Sequence, residues 1–196
     1  KQSHQPFHWF IEFYGILNRG GFDVIVGNPP YLETRDVGYG FKNYVCFESG
    51  AIHAMCIERS DHLLDRNGCM SMIVPLSLPS TQRMQLVQEM LERNRNAWFA
   101  NYSWRPGKLF DTVNRALTIF TVGVSTSFQT CSTNYQKWTS ESRCGLLERL
   151  NYVAVPRQRS ACWIPKVGDA LEQQILQKCL NIKTVLKHFV SRSEHR

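Results

Sequence analysis

The chain has 196 residues, of which 43% are apolar and 20% charged, and this globular composition excludes a disordered or collagen-like protein. Its longest apolar stretch, residues 117–124, is too short to cross a bilayer, and no secretory signal is visible at the start. The net charge of +7 is uneven: residues 1–98 carry 9 basic and 10 acidic side chains, whereas residues 99–196 carry 14 and 6. A basic half indicates a polyanionic partner, most often nucleic acid, although a solvated surface with no partner fits the charge equally well.

The seven cysteines are odd in number, and no two of them are separated by only two residues. This spacing is typical neither of a zinc site nor of a disulfide scaffold, so we expect reduced thiols in a cytoplasmic protein and no metal. The chain begins at Lys1 and not at Met, which suggests a piece of something longer.

Strand-like and helical patterns alternate along the first two thirds of the chain. Apolar, β-branched runs predict strands over residues 22–26, 69–74, 97–104 and 116–124. Helical spacing of apolar residues predicts helices over residues 44–66 and 82–93, the second capped by Ser80 or Thr81. This order is the signature of an α/β sheet covered on both faces. The last two strands are joined by a loop, so we expect antiparallel neighbours at the sheet edge.

The sequence becomes more polar after about residue 125. Short strands are predicted at residues 135–138 and 151–155, and a helix is predicted near residues 169–180. The residues of this helix expected to face inward are Leu171, Ile175, Leu176 and Cys179.

The first predicted strand ends in Gly27 and is followed by Asn28-Pro29-Pro30-Tyr31. Ligands of open α/β sheets collect at the carboxyl ends of strands. The two prolines fix φ and remove two N–H donors, and each holds the residue before it extended. The segment therefore offers two fixed acceptors, the side-chain oxygen of Asn28 and the carbonyl of Pro29, beside the ring of Tyr31.

Two fixed acceptors next to an aromatic ring suit a planar NH2 group on a planar ring. The lone pair of such a nitrogen is delocalised, and accepting both of its N–H hydrogens favours the pyramidal form, whose lone pair can attack. An ordinary turn or a polyproline ligand is the alternative, and the position after a buried strand disfavours it.

Residues 22–31 resemble the catalytic motif of DNA methyltransferases that modify the N6 amine of adenine. Residues 7–13 and 67–75 are similar to segments of the large methylase polypeptides of restriction–modification systems. The resemblance implies an α/β fold, the C-terminal part of a Rossmann-like class I methyltransferase sheet followed by an incomplete second module. It divides the chain into a catalytic half over residues 1–125 and a connector to a target-recognition module over residues 126–196. It also implies S-adenosylmethionine as donor, and double-stranded DNA and further domains or subunits of a restriction system as partners, the target adenine being flipped out of the duplex.

The resemblance also assigns roles to single residues. Asn28 and Pro29 would accept from the adenine amine, Asn28 also lying near the donor, Pro30 would fix the loop, and Tyr31 would stack on the flipped base. A second stacking aromatic is expected before a late strand, and Phe110 occupies that place, unless it is a core residue. Candidates for phosphate contacts are Arg105, Lys108 and Arg115, with Arg157, Arg159 and Lys166, although each alone could be a solvated surface charge.

The chain departs from the family in lacking the glycine-rich donor-binding turn, because Gly38-Tyr39-Gly40 follows the catalytic loop and has no third glycine. We therefore expect the isolated chain to bind donor weakly and to be inactive. Two alternatives stay open. The acceptor could be a protein glutamine or an RNA guanine amine, or the chain could be an inactive, DNA-binding remnant of a methylase.

Overall fold

The computed structural model describes residues 8–38, 40–157 and 162–182. The helices in this part of the chain are α1 (Trp9–Glu12), α2 (Tyr14–Leu17), α3 (Ile52–Leu63), α4 (Gln85–Glu92) and α5 (Ala170–Leu180). The strands are β1 (Phe22–Gly27), β2 (Leu64–Pro75), β3 (Asn96–Tyr102), β4 (Leu117–Gly123), β5 (Thr130–Gln136) and β6 (Val153–Ala154).

The described strands form one mixed sheet of six strands in the order β1-β2-β4-β3-β5-β6. The pairs β1–β2 and β3–β5 are parallel, whereas β4 is antiparallel to both of its neighbours and β6 is antiparallel to β5. Strands β1, β2, β3 and β5 therefore run in one direction. The carboxyl ends of these four strands lie along one side of the sheet, which we call the C-edge. This side is not the same as the edge strands, which are β1 and β6.

Two apolar clusters cover opposite faces of this sheet. Phe99 and Phe120 belong to the larger cluster, which also contains Ala54 and Ile57 of α3 and Val87 and Leu91 of α4. Ala100 and Tyr102 belong to the smaller one, with Trp138. Successive residues of a strand point to opposite faces of the sheet. Because Phe99 and Ala100 are neighbours in β3, the larger cluster lies on one face and the smaller cluster on the other. The α/β class predicted from the sequence is confirmed.

All four predicted strands are present, with two differences. β2 begins at Leu64 and not at residue 69. Leu64 pairs with Phe22 of β1, and the polar residues that follow it lie where the register shifts before Val24 pairs with Cys69. The prediction that β3 and β4 lie at the sheet edge is wrong, although they are antiparallel neighbours. β4 is inserted between β2 and β3, and β5 continues the sheet beyond β3.

The helix predicted over residues 44–66 is shorter, because residues 45–49 form a 3₁₀ turn. This turn ends at Gly50, whose φ of 67° lies in the left-handed region, and the buried carboxylate of Glu58 accepts from Val45 N (2.9 Å) and Cys46 N (2.8 Å). The predicted second helix likewise begins as a 3₁₀ turn, and the Thr81 hydroxyl donates to the Ser77 carbonyl and does not cap it.

Helix α5 is capped by Asp169, whose side chain accepts from Glu172 N at 2.8 Å. The predicted inward face is wrong except for Leu176, which packs partly buried against the main core. Leu171 and Ile175 are 66% and 52% exposed, and Cys179 is exposed as well.

Strands β5 and β6 pair with the same sheet as the first four strands. Part of the region after residue 125 therefore extends the sheet, close to where the sequence predicts short strands. That residues 126–196 lead into a target-recognition module stays a prediction.

Candidate functional site at the C-edge

Three loops meet at the C-edge: residues 28–51 after β1, residues 76–84 after β2, and residues 103–116 after β3. The Tyr31 hydroxyl donates to the Ile73 carbonyl in β2 at 3.3 Å. Arg115 donates to the Tyr31 carbonyl at 3.4 Å, and Leu76 N donates to the Ala116 carbonyl at 3.0 Å. The tetrapeptide of residues 28–31 thus contacts strand β2 and the loop after β3, at the edge where ligands of α/β sheets bind.

The tetrapeptide places an exposed amide side chain next to a buried proline. Asn28 is exposed, and among the described residues its side chain has no hydrogen-bond partner. Pro29 is buried, Pro30 is exposed and Tyr31 is half-buried. Burial raises the pKa of Tyr31 to about 12, and the positive charge of Arg115 partly opposes this effect. The phenol therefore stays protonated near neutral pH and can donate its hydrogen bond to the Ile73 carbonyl.

The segment that follows the tetrapeptide is fixed to the start of α3. Ile52 N donates to the Leu32 carbonyl at 3.0 Å, and Thr34 N donates to the Gly50 carbonyl at 2.8 Å. Glu33 accepts two hydrogen bonds from Arg83, at 2.7 and 2.9 Å, which lower the pKa of its carboxyl. Such a two-point ion pair fixes direction as well as distance.

The basic candidates Arg105, Lys108 and Arg115 all lie in the loop of residues 103–116. The Arg105 guanidinium lies 4.1 Å from the ring centroid of Trp104, and Lys108 Nζ donates to Asn114 Oδ1 at 2.5 Å. Phe110 lies in the same loop and is half-buried. The structure brings these residues to the edge that carries the tetrapeptide, and their contacts with DNA stay a prediction.

Two other basic candidates belong to the protein interior or its packing. Arg157 forms an ion pair with Glu92 (2.8 Å) and donates to Gln88 Oε1 (3.0 Å). Lys166 donates to Ser80 Oγ at 2.9 Å, and burial lowers its pKa. We therefore assign a structural role to both residues. Arg159 lies outside the described residues.

A groove of about 530 Å³ runs between β1 and α3, and it is lined mainly by apolar side chains, among them Val24, Val26, Met55 and Cys56. It could hold a flat, apolar ring such as the adenine of the expected donor. The described lining contains Arg59 but no carboxylate to bind a ribose. The described residues therefore fit the ring of the donor and not its polar parts.

One buried polar residue at this edge was missed by the sequence analysis. His53, the second residue of α3, is only 2% exposed, and both of its ring nitrogens lack a hydrogen-bond partner within the described part of the chain. Its only signal in the sequence is a polar residue within the apolar run of residues 51–57.

Within the described ranges, no helix has the length and apolar character needed to span a membrane. The same ranges contain no group of three or more His, Cys, Asp or Glu side chains placed to hold a metal ion.

The fold resembles parts of two larger chains, one solved with DNA and the other with a DNA substrate mimic. The chain superposes on the DrdV–DNA complex with a TM-score of 0.60 and 12% identity, covering 76% of this chain and 19% of that one. It also superposes on a nuclease-deletion mutant of the Type ISP restriction–modification enzyme LlaGI, bound to a DNA substrate mimic, with a TM-score of 0.58 and 13% identity. That match covers 79% of this chain and 16% of that one. These matches show a shared fold, and this chain covers less than a fifth of each of the two larger chains.

The sequence identifies the family more closely. Residues 1–104, more than half of the chain, match the Eco57I restriction-modification methylase family. A Methanocaldococcus jannaschii protein, described provisionally as a type II restriction enzyme and methyltransferase, is 33% identical over 98 residues, which cover 44% of this chain and 8% of that protein. The chain belongs to the Eco57I restriction-modification methylase family, and it spans less than a tenth of the length of this curated relative.

Proposed function

We propose that the chain forms the acceptor side of an S-adenosylmethionine-dependent methyltransferase that modifies the N6 amine of a flipped-out adenine in double-stranded DNA. It would act in a restriction–modification or phage-defence system. The observation that carries the proposal is the exposed Asn28 amide at the end of β1, with the neighbouring Tyr31 fixed from both sides.

The proposed chemistry needs two aimed oxygens and no strong base. The Asn28 side-chain oxygen and the Pro29 carbonyl would accept the two N–H hydrogens of the amine and favour its pyramidal form. Tyr31 would stack on the base, since base–aromatic stacking is worth about 1–3 kcal/mol per base. Phe110 would close the other side of the base.

The donor would supply the methyl group. Because the described residues fit only its ring, we expect this chain alone to bind S-adenosylmethionine weakly and to be inactive in isolation. Activity is therefore expected of the protein expressed from the complete gene.

Arg105, Lys108 and Arg115 would contact phosphates near the flipped nucleotide. Such contacts give affinity and orientation without reading sequence. Support for DNA as the partner comes from the excess of basic residues in the second half of the chain and from the solved relatives, which are DNA complexes.

The central test is the substitution Asn28→Ala in the protein expressed from the complete gene. With tritiated donor and duplex DNA, we expect kcat to fall at least a hundredfold, as when one preorganised donor or acceptor is removed from a reacting centre. Asn18→Ala is the matched control, because Asn18 is also exposed but precedes β1 and is expected to keep full activity. Equal turnover of the two variants would reject the role of Asn28.

The acceptor class is tested separately by offering DNA, RNA and protein substrates with the same labelled donor. Label in the N6 amine of DNA adenine is the expected result. Label in RNA guanine or in a glutamine side chain would identify the alternative acceptors, and no label in any of them would identify an inactive remnant.

A further inference from the structure

Buried polar atoms without partners are concentrated at the C-edge. Among the described residues these atoms are His53 Nδ1 and Nε2, Ser77 Oγ, Tyr102 Oη and Arg157 Nε. Arg157 Nε lies 2.8 Å from the Glu92 carboxylate, so an ion pair accounts for it. The other four atoms belong to the start of α3, the loop after β2 and the end of β3. A buried polar atom left unpaired costs about 1–3 kcal/mol, and such atoms call for an explanation such as a functional role.

His53 contributes two of these four atoms and lies closest in sequence to the fixed part of the catalytic loop. The residues before it are joined to that loop: Ile52 N donates to the Leu32 carbonyl, and Ala51 forms a β-bridge with Glu33. His53 therefore follows directly after the two residues that attach α3 to the segment continuing from the tetrapeptide.

Three charged groups influence the protonation of this imidazole. Arg83 and Glu33 come from the ion pair that fixes the loop, and Arg115 comes from the loop after β3. Burial, with the positive charge of Arg83 next in size, lowers the pKa of His53 to about 4. The ring is therefore neutral at physiological pH and offers one N–H donor and one acceptor.

We propose that His53 is a positioning residue of the acceptor site, whose imidazole hydrogen-bonds to the backbone of residues 31–33 once the acceptor is bound. This bond would hold Asn28 and Tyr31 in the geometry that receives the amine. The inference rests on the proposed function for the identity of the acceptor. It adds a residue that acts through the loop and does not touch the base.

The test compares His53→Gln with His53→Met, measured with DNA and donor in the protein expressed from the complete gene. Gln and Met have similar length and shape, but only Gln retains a donor and an acceptor. We expect His53→Met to lower kcat about tenfold with little change in the KM for the donor, and His53→Gln to stay within about threefold of the wild type. His62→Leu is the control, because His62 lies exposed on the same helix and should keep full activity.

The melting temperature separates positioning from folding. Since His53→Met removes two unpaired buried atoms, we expect it to melt no lower than His53→Gln. Equal kcat values of the two variants, whether high or low, would overturn the proposal. So would a loss of activity that follows a loss of folded protein.

Failure of the proposed function gives a different result. If the wild type methylates RNA or protein and not DNA, the Gln–Met comparison is made with that acceptor. If no acceptor is methylated, the ¹⁵N chemical shifts of the His53 imidazole are compared with and without duplex DNA, and unchanged shifts would overturn the positioning role.

Discussion

Two titratable side chains, Tyr31 in the candidate site and His53 at the start of α3, are kept neutral by burial. The pKa of Tyr31 is raised to about 12, and that of His53 is lowered to about 4. Neither group changes its charge between pH 5 and pH 9, whereas Glu33, Arg83 and Arg115 contribute charges near the tetrapeptide over this range. This constancy suits a reaction in which aimed oxygens, and not a general base, activate the amine.

His53 should make the folded chain sensitive to acid. Its pKa is about 4 when folded and about 6.5 when unfolded, so between these values the unfolded chain binds a proton that the folded chain does not. The free energy of unfolding therefore falls as the pH drops from about 6.5 to 4, by up to about 3 kcal/mol in total. His53→Met has no titratable group at this position, so its free energy of unfolding lacks this dependence on pH.

Urea unfolding at a series of pH values measures this effect. The stability of His53→Met relative to the wild type should rise by about 2 kcal/mol between pH 7.5 and pH 5, whereas His62→Leu should run parallel to the wild type. Parallel curves for His53→Met would show that the folded imidazole titrates normally.

At the scale of elements, residues 32–34 after the tetrapeptide are held by contacts with the start of α3 and with Gly50, which ends the 3₁₀ turn of residues 45–49. This turn is itself attached to α3 by Glu58, whose buried carboxylate accepts from two successive backbone N–H groups. One side chain thus connects the helix to the end of the loop that carries the candidate site.

Glu58→Gln should loosen this connection. The substitution replaces one acceptor oxygen by an NH2 group that faces a backbone N–H, and leaving a buried donor unpaired costs about 1–3 kcal/mol. We expect a loss of about 2 kcal/mol in the free energy of unfolding, measured by urea denaturation. Glu48→Gln, in the same turn but exposed, should change it by less than about 0.5 kcal/mol.

The strands and the position of the tetrapeptide were predictable because both depend on local sequence. Apolar β-branched runs mark the strands, and the prolines of residues 29 and 30 fix the loop directly after β1. The insertion of β4 between β2 and β3 was not predictable, since periodicity within a strand does not encode its neighbours. Leu171 and Ile175 show the same limit, because a helical pattern identifies an apolar face but not whether another element covers it.

At the scale of the whole molecule, one face of strand β1 is open to solvent. Val24 and Val26 on β1 are 63% and 77% exposed, although strands of parallel pairs are usually buried. They lie beside the groove that fits only part of the donor. The described part of the chain thus leaves the proposed donor side open to solvent, and weak donor binding by the chain alone stays a prediction.

The basic candidates for phosphate contacts lie together at the carboxyl ends of the strands. The C-edge carries Arg105, Lys108 and Arg115 in one loop, whereas Arg19 lies just before β1 and therefore near the opposite edge. If the C-edge binds DNA, Arg115 should neutralise one phosphate and Arg19 none. Each phosphate contact contributes about 0.9 to the slope of log K against log salt concentration.

Arg115→Gln should therefore lower that slope by about 1 and weaken binding equally for unrelated duplexes, because a phosphate contact reads no sequence. Arg19→Gln should leave the slope unchanged. Fluorescence anisotropy of the chain with two labelled 20-base-pair duplexes of different sequence, between about 50 and 200 mM salt, measures both quantities. If the two variants gave the same slope, DNA binding would not use the C-edge, and the placement of the flipped adenine beside Tyr31 would lose its electrostatic support.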